Sequence, residues 1–276
     1  MKHIYYDYGK EELLKNGPKL SVIVMEDNAA VFQSMAQEMT EEIRKNNLQG
    51  KRTVFICPVG PVGQYPYFVN TINQEEISLK NVWFINMDEY LDDEKNWVST
   101  EHPLSFRGFM QKNVYGKIKK ELLMPEEQRV FPNPKNLEYI PQLIEELGGV
   151  DICFGGVGIN GHVAFNEADP DLTKEEFLNQ KTRILEITKE TRAANAIGDF
   201  NGALEDMPRC CVTIGMYEIS HSKKIRLACF RNWHRAVVRR AAYGKATSDF
   251  PISLLTGHPD INIKITEFVA GLEGQE

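Results

Sequence analysis

The chain has 276 residues, 42% hydrophobic and 26% charged, with a formal net charge of −7 and a pI near 5.5. This is the make-up of a globular protein with ample length for a core, and its acidity argues against a nucleic-acid or anionic-membrane surface. No apolar run nears the ~18 residues of a membrane span, and the N-terminus from Met1 to Asp7 has no apolar leader core.

In chain order, residues 20–25 read as a strand. Asp27 or Asn28 then caps a helix whose apolar positions Ala30, Val31, Met35, Met39 and Ile43 recur at helical spacing. A strand at 53–57 runs into the glycine-proline loop 58–63, a helix follows at 64–73, and a strand at 82–85 ends in Asn86-Met87-Asp88-Glu89-Tyr90. The acidic stretch 91–102 reads as a loop or lid. Pro103 suits the first turn of a helix reaching about residue 114. A helix at 137–147 stops at Gly148-Gly149. A strand at 150–154 then enters a stretch with four glycines in seven positions, Gly155 to Gly161, followed by His162. Further strands are predicted at 183–187, 212–214, 225–230 and 261–265, and helices at 191–196, 234–243 and the C-terminal end.

Strands alternating with helices predict an α/β domain with a mostly parallel sheet. No repeat or linker interrupts it, so one domain spanning 1–276 is the economical reading. In such sheets ligands bind beyond the carboxyl ends of the strands. The stretches 58–63, 86–90 and 155–167 each follow a strand and are therefore predicted to meet at one edge. Cys57, Cys153 and Cys229 fall inside apolar runs and Cys210-Cys211 open another, with no CxxC and no His/Cys ligand spacing. This predicts buried reduced thiols, no bound metal and a cytoplasmic setting.

The candidate chemistry sits on that edge. Asp88 and Glu89 directly follow a buried strand, where partial burial makes a carboxylate a useful general base; the alternative is a cap or a surface turn. His162 is the natural partner for proton transfer next to a carbonyl. Asn160 and Glu167 are placed to orient it, although Glu167 also suits the start of a following helix. Gly60 and Gly63 resemble an anion-cradling loop, but no Gly-Lys-Ser/Thr follows and Pro61 removes a donor. Gly156, Gly158 and Gly161 fit the letters of a dinucleotide fingerprint but lack the later acidic residue, so they read as a wall that lets a ligand approach the backbone. No G-x-S-x-G elbow appears. Arg192 and the run Arg231-Asn232-Trp233-His234-Arg235 are the anion-binding candidates.

The segments Phe84-Ile85-Asn86-Met87-Asp88-Glu89-Tyr90 and Gly155-Gly156-Val157-Gly158-Ile159-Asn160-Gly161-His162-Val163-Ala164-Phe165-Asn166-Glu167 resemble the two signatures of the glucosamine-6-phosphate deaminase (isomerase) family. Thinner similarity runs from about residue 22 to 260 and includes Thr191-Arg192-Ala193-Ala194-Asn195. The related 6-phosphogluconolactonases carry Asp-Glu-Arg and Gly-His-Thr-Ala at these places instead. The resemblance implies a modified Rossmann-like three-layer α/β/α fold and a cofactor-independent reaction. An aminosugar phosphate opens its ring, isomerises from aldose to ketose and loses ammonia. It implies Asp88 as the base at C2, His162 assisting ring opening at O5, Glu167 and position 160 as orienters, and Arg192 on the phosphate. Glu89, Gly60, Gly63, Gly156, Gly158, His234 and Arg235 complete the expected substrate site.

Position 160 is Asn where well-described members have Asp, and loop 58–63 lacks the family's hydroxyls. His234-Arg235 stands near an expected Lys, and Leu185 replaces a Lys of the allosteric site found in some members. The expected partners are a small-molecule aminosugar phosphate and, optionally, copies of the chain itself. A related sugar lactonase and a non-catalytic sugar-phosphate sensor stand as alternatives.

Overall fold

A computed structural model describes residues 3–272. Helix α1 (Lys10–Lys15) leads to β1 (Ser21–Met25) and the long α2 (Asn28–Leu48). Then come β2 (Thr53–Cys57), α3 (Gln64–Gln74), β3 (Val82–Asn86), β4 (Asp88–Leu91), α4 (Phe106–Asn113), β5 (Arg129–Val130), α5 (Tyr139–Glu146) and β6 (Ile152–Gly156). The last part holds α6 (Lys174–Leu178), β7 (Arg183–Glu186), α7 (Lys189–Asp199), β8 (Cys210–Thr213) and α8 (Met216–Ser220). It closes with β9 (Lys224–Cys229), α9 (His234–Tyr243), β10 (Ile261–Thr266) and α10 (Glu267–Ala270). Residues 1–2, part of the stretch read for a leader, and 273–276 at the expected C-terminal helix lie outside the described residues. No described helix is long and apolar enough to cross a membrane.

Seven strands form one sheet in the order β1-β10-β9-β6-β2-β3-β5, every neighbour parallel. Alternation along each strand divides the core into two layers. Phe55, Phe84 and Phe154 pack with Val31, Met35 and Met39 of α2 and Phe68 of α3. Ile56, Ile85 and Cys153 point the other way, against Leu143 of α5 and Val238 and Ala241 of α9. The result is the expected three-layer α/β/α arrangement with a mostly parallel sheet. Asp27 caps α2 by accepting from the Ala30 amide.

Two local expectations are corrected. The helix near Pro103 begins only at Phe106, because Ser105 caps it by accepting from the Gly108 amide. Residues 88–91 continue as a strand, which pairs antiparallel with β8 in a separate sheet ordered β4-β8-β7. That small sheet has its own core of Tyr90, Phe165, Ile187 and Cys211.

Strand order shows where a ligand belongs. From β2 the chain moves outward to β3 and β5; from β6 it moves the other way to β9 and β10. The adjacent pair β2 and β6 is thus the switch point, where the loops leaving the carboxyl ends part and leave a crevice.

Candidate active site

The loops after β2, β3 and β6 line one cleft of about 450 Å³, together with the residues after β9 and one face of α7. This volume suits a hexose-sized ligand. Gly60, Gly63, Asp88, Gly156, Gly158, His162 and His234 all reach it. The loops touch closely: a Cβ on Gly156 would lie 2.9 Å from the Gly60 carbonyl oxygen. Gly158 gives the imidazole its seat, since a Cβ there would fall 1.9 Å from the His162 ring.

His162 is held from behind. Its Nδ1 is 2.7 Å from Asn160 Oδ1, while Asn160 Nδ2 donates to Glu167 Oε2 at 2.6 Å. Glu167 also accepts from the hydroxyls of Thr188 and Thr191 at 3.2 and 3.1 Å, and its carboxylate is 3.5 Å from the imidazole. Burial works against a charged Glu167, but the imidazole, Asn160 and Thr191 outweigh it and hold the group down at about 2. A carboxylate can only accept, so the network leaves Nδ1 protonated and Nε2 as the free nitrogen. Glu167 does not begin a helix: α6 starts seven residues later, capped by Thr173. Asn166 fastens this loop to the small sheet through Ile214 O and Arg183 Nη1.

Asp88 opens β4 in register with Thr213. It is buried against the cleft, and no described group hydrogen-bonds its carboxyl. Burial, and then the charge of Glu89, push its pKa well above the usual carboxylate range. Glu89 points to the opposite side of the strand and is fully buried. It accepts from Ser105 Oγ and from the Phe106 and Arg107 amides, anchoring the start of α4.

The expected anion contacts are rearranged. Glu89, Arg192 and Arg235 do not line the cleft. Arg192 is turned toward loop 200–209 and donates to the carbonyls of Leu204 and Met207. Arg235 donates to Phe268 O and stacks on that ring. His234 reaches the cleft wall with both nitrogens engaged. Nδ1 accepts from the Phe230 and Arg231 amides, and Nε2 donates to Val157 O. Burial above all pushes it down to about 3, so it is a neutral support. Of the anticipated run 231–235, Arg231 and Trp233 also line the cleft, together with Asn195, Asp199 and the rings of Phe32 and Phe230. Thr191, Asn195 and Asp199 recur every four residues on α7. That spacing was readable as one helix face, but nothing in it said which face met the ligand.

A second cavity, about 550 Å³, lies at the amino ends of the strands among Glu42, Lys45, Asp151, Lys223 and Lys224. Lys223 pairs there with Asp151, and Lys224 and Lys45 with Glu42. None of the candidate proton carriers reaches it.

No family model matches the chain. Among curated proteins, a glucosamine-6-phosphate deaminase from Phocaeicola vulgatus is 30% identical over 247 residues, covering 87% of this chain and 88% of the relative. One from Exiguobacterium sibiricum is 30% identical over 217 residues, 78% and 79% of the two chains. Among solved structures, a monomeric glucosamine-6-phosphate deaminase superposes with a TM-score of 0.78 at 25% identity, over 91% of this chain and 99% of that one. A 6-phosphogluconolactonase from Trypanosoma cruzi shares the fold, with a TM-score of 0.63 at 13% identity over 92% and 97% of the chains. With the parallel sheet, the crevice at its switch point and both signature loops facing it, these relatives give one answer: the chain belongs to the glucosamine-6-phosphate deaminase family.

Proposed function

We propose that this chain converts glucosamine-6-phosphate and water to fructose-6-phosphate and ammonia. The observation that carries this reading is the sharing of one cleft by Asp88, a carboxyl of raised pKa, and His162, whose Nε2 is free. Nε2 takes the proton of the C1 hydroxyl and passes it to ring oxygen O5 as the C1–O5 bond breaks. The open-chain aldehyde makes the C2 hydrogen acidic. Asp88 removes it, leaving a double bond between C1 and C2, and the proton is returned to C1. The product is an imine at C2. Water adds to it and ammonia leaves, giving the ketose. Electrons move only within the substrate, so positioned acids and bases suffice.

The raised pKa of Asp88 matches this task, because a base works best when its pKa lies near the working pH. Glu167 and Asn160 are positioning residues that keep Nε2 aimed at the cleft. Five cysteines, none in a disulfide, are in keeping with a reducing, cytoplasmic setting.

The test is ammonia and fructose-6-phosphate release from glucosamine-6-phosphate, with galactosamine-6-phosphate and free glucosamine as comparisons. Coupled appearance of both products supports the reading. Hydrolysis of a sugar lactone with no ammonia from any aminosugar would replace it with the lactonase reading.

A further inference from the structure

The deaminase reading needs a cation for the substrate's phosphate, and three of the four basic candidates anticipated from the sequence do not supply one. Arg192 and Arg235 are tied to carbonyl oxygens away from the cleft, and His234 is neutral with both nitrogens engaged. The loop 58–63 has no side-chain hydroxyl. Among the described residues, Arg231 is the only Lys or Arg that lines the cleft.

Arg231 leaves the end of β9 just ahead of α9 and turns toward α7. Its Nη2 is 2.8 Å from Asp199 Oδ1, and both side chains are partly exposed, by 34% and 49%. The guanidinium packs against the helix at Gly198, where a Cβ would fall 1.7 Å from Nη1. A glycine inside a helix weakens it, and here its missing side chain is what gives Arg231 room. Asp199 belongs to the same α7 face as Thr191, which touches Glu167, and Asn195, which donates to the Tyr90 hydroxyl.

We propose that Arg231 is the phosphate contact of this cleft and that Asp199 is the internal counter-anion the phosphate displaces. The proposal rests on the aminosugar-phosphate reading. A guanidinium suits a phosphate because its fork of N–H donors meets two oxygens at once. An exposed ion pair is weakly held, so the exchange is cheap. Asp199 is half in solvent and is rehydrated when released. Asp199 therefore lowers the affinity for the anionic group and leaves the chemical step alone, while Arg231 provides the preference for phosphorylated over free sugar.

The experiment measures kcat and KM for glucosamine-6-phosphate and for free glucosamine with the parent, Arg231→Gln and Asp199→Asn proteins. Binding of inorganic phosphate to each is followed by calorimetry. Arg231→Gln is expected to raise KM for the phosphorylated sugar at least about ten-fold, with kcat changing far less. It is also expected to abolish phosphate binding. Asp199→Asn, close in shape and safe for folding, is expected to lower that KM and tighten phosphate binding several-fold. Unchanged KM and unchanged phosphate binding in Arg231→Gln overturn the proposal, as does weaker phosphate binding in Asp199→Asn. A parent protein that binds phosphate through Arg231 yet releases no ammonia would defeat the catalytic reading and leave this one standing.

Discussion

The Asn160 amide stands between His162 and Glu167, with Oδ1 2.7 Å from the imidazole Nδ1 and Nδ2 2.6 Å from the carboxylate. Because a carboxylate has no donor, the amide can face only one way, and it fixes the imidazole tautomer in turn. An Asp at this place would set two carboxylates against each other. Asn passes the orientation on without adding charge.

Asn160→Ala should therefore lower kcat by about 10- to 100-fold, the usual cost of a misaimed catalytic group. KM should move much less. Steady-state kinetics decide it, and an unchanged kcat would remove Asn160 from the positioning role.

Asn160→Asp should be destabilising at neutral pH, since two carboxyls at this spacing cannot both ionise cheaply. One of them keeps a raised pKa in the folded protein. Stability relative to the parent then falls as pH rises through that value and recovers on acidification. Melting temperatures across pH 4–8 would show the gap narrowing toward the acid end.

Asp88 pits stability against activity. Its folded pKa is raised by burial first and by Glu89 second, so the folded state holds the proton more tightly than the unfolded one. Stability is lost as pH rises from the unfolded value of about 3.9 toward the folded one. Asp88→Asn should therefore raise the melting temperature at pH 7 by a few degrees, with the gain gone below about pH 4. The same change should cost about 10²- to 10⁴-fold in rate. In the parent, the acid limb of kcat/KM should lie above the ordinary carboxylate range.

Glu167 behaves in the opposite sense. Held at about 2 in the folded protein, it contributes stability that is full above the unfolded value of about 4.3. That contribution, on the order of 3 kcal/mol, is lost as pH falls through about 2. Glu167→Gln should remove it and flatten the acid dependence of the melting temperature between pH 5 and 2. An unchanged acid profile would show that the carboxylate is not held by this network.

Gly158→Ala tests the seat of the imidazole. A methyl group placed 1.9 Å from the ring must push it off the Asn160 amide. Turnover should fall at least about ten-fold. An imidazole NMR signal still showing the Nδ1–H tautomer and full activity would contradict the packing described.

Much of this was legible in the residues. The strand at 53–57 and the helix at 234–243 have the bounds read from their apolar patterns, because burial on a sheet or against it imposes a period. The convergence of 58–63, 86–90 and 155–167 followed from strand–loop order alone. The second sheet was not legible: Asp88 to Leu91 looks like a strand end until β8, over a hundred residues later, pairs with it. Glu89 illustrates the same difficulty. Its neighbour on the pleat faces the cleft, whereas Glu89 itself faces Ser105 and the start of α4. Long basic side chains were the least predictable. Arg192 and Arg231 are both positively charged, and only tertiary packing decides that one meets carbonyl oxygens and the other the cleft.

In the proposed reaction Asp88 moves the C2 proton while His162 opens the ring. Glucosamine-6-phosphate carrying deuterium at C2 tests it directly, with ammonia release and label position followed in the parent and in Asp88→Asn. The parent should release ammonia with loss of the label from C2 and a primary isotope effect on any rate limited by that step. Asp88→Asn should leave the label in place and form no ammonia at a comparable rate. Ammonia release by Asp88→Asn at the parent's rate, or label retained at C2 in a turning-over parent, would contradict this assignment.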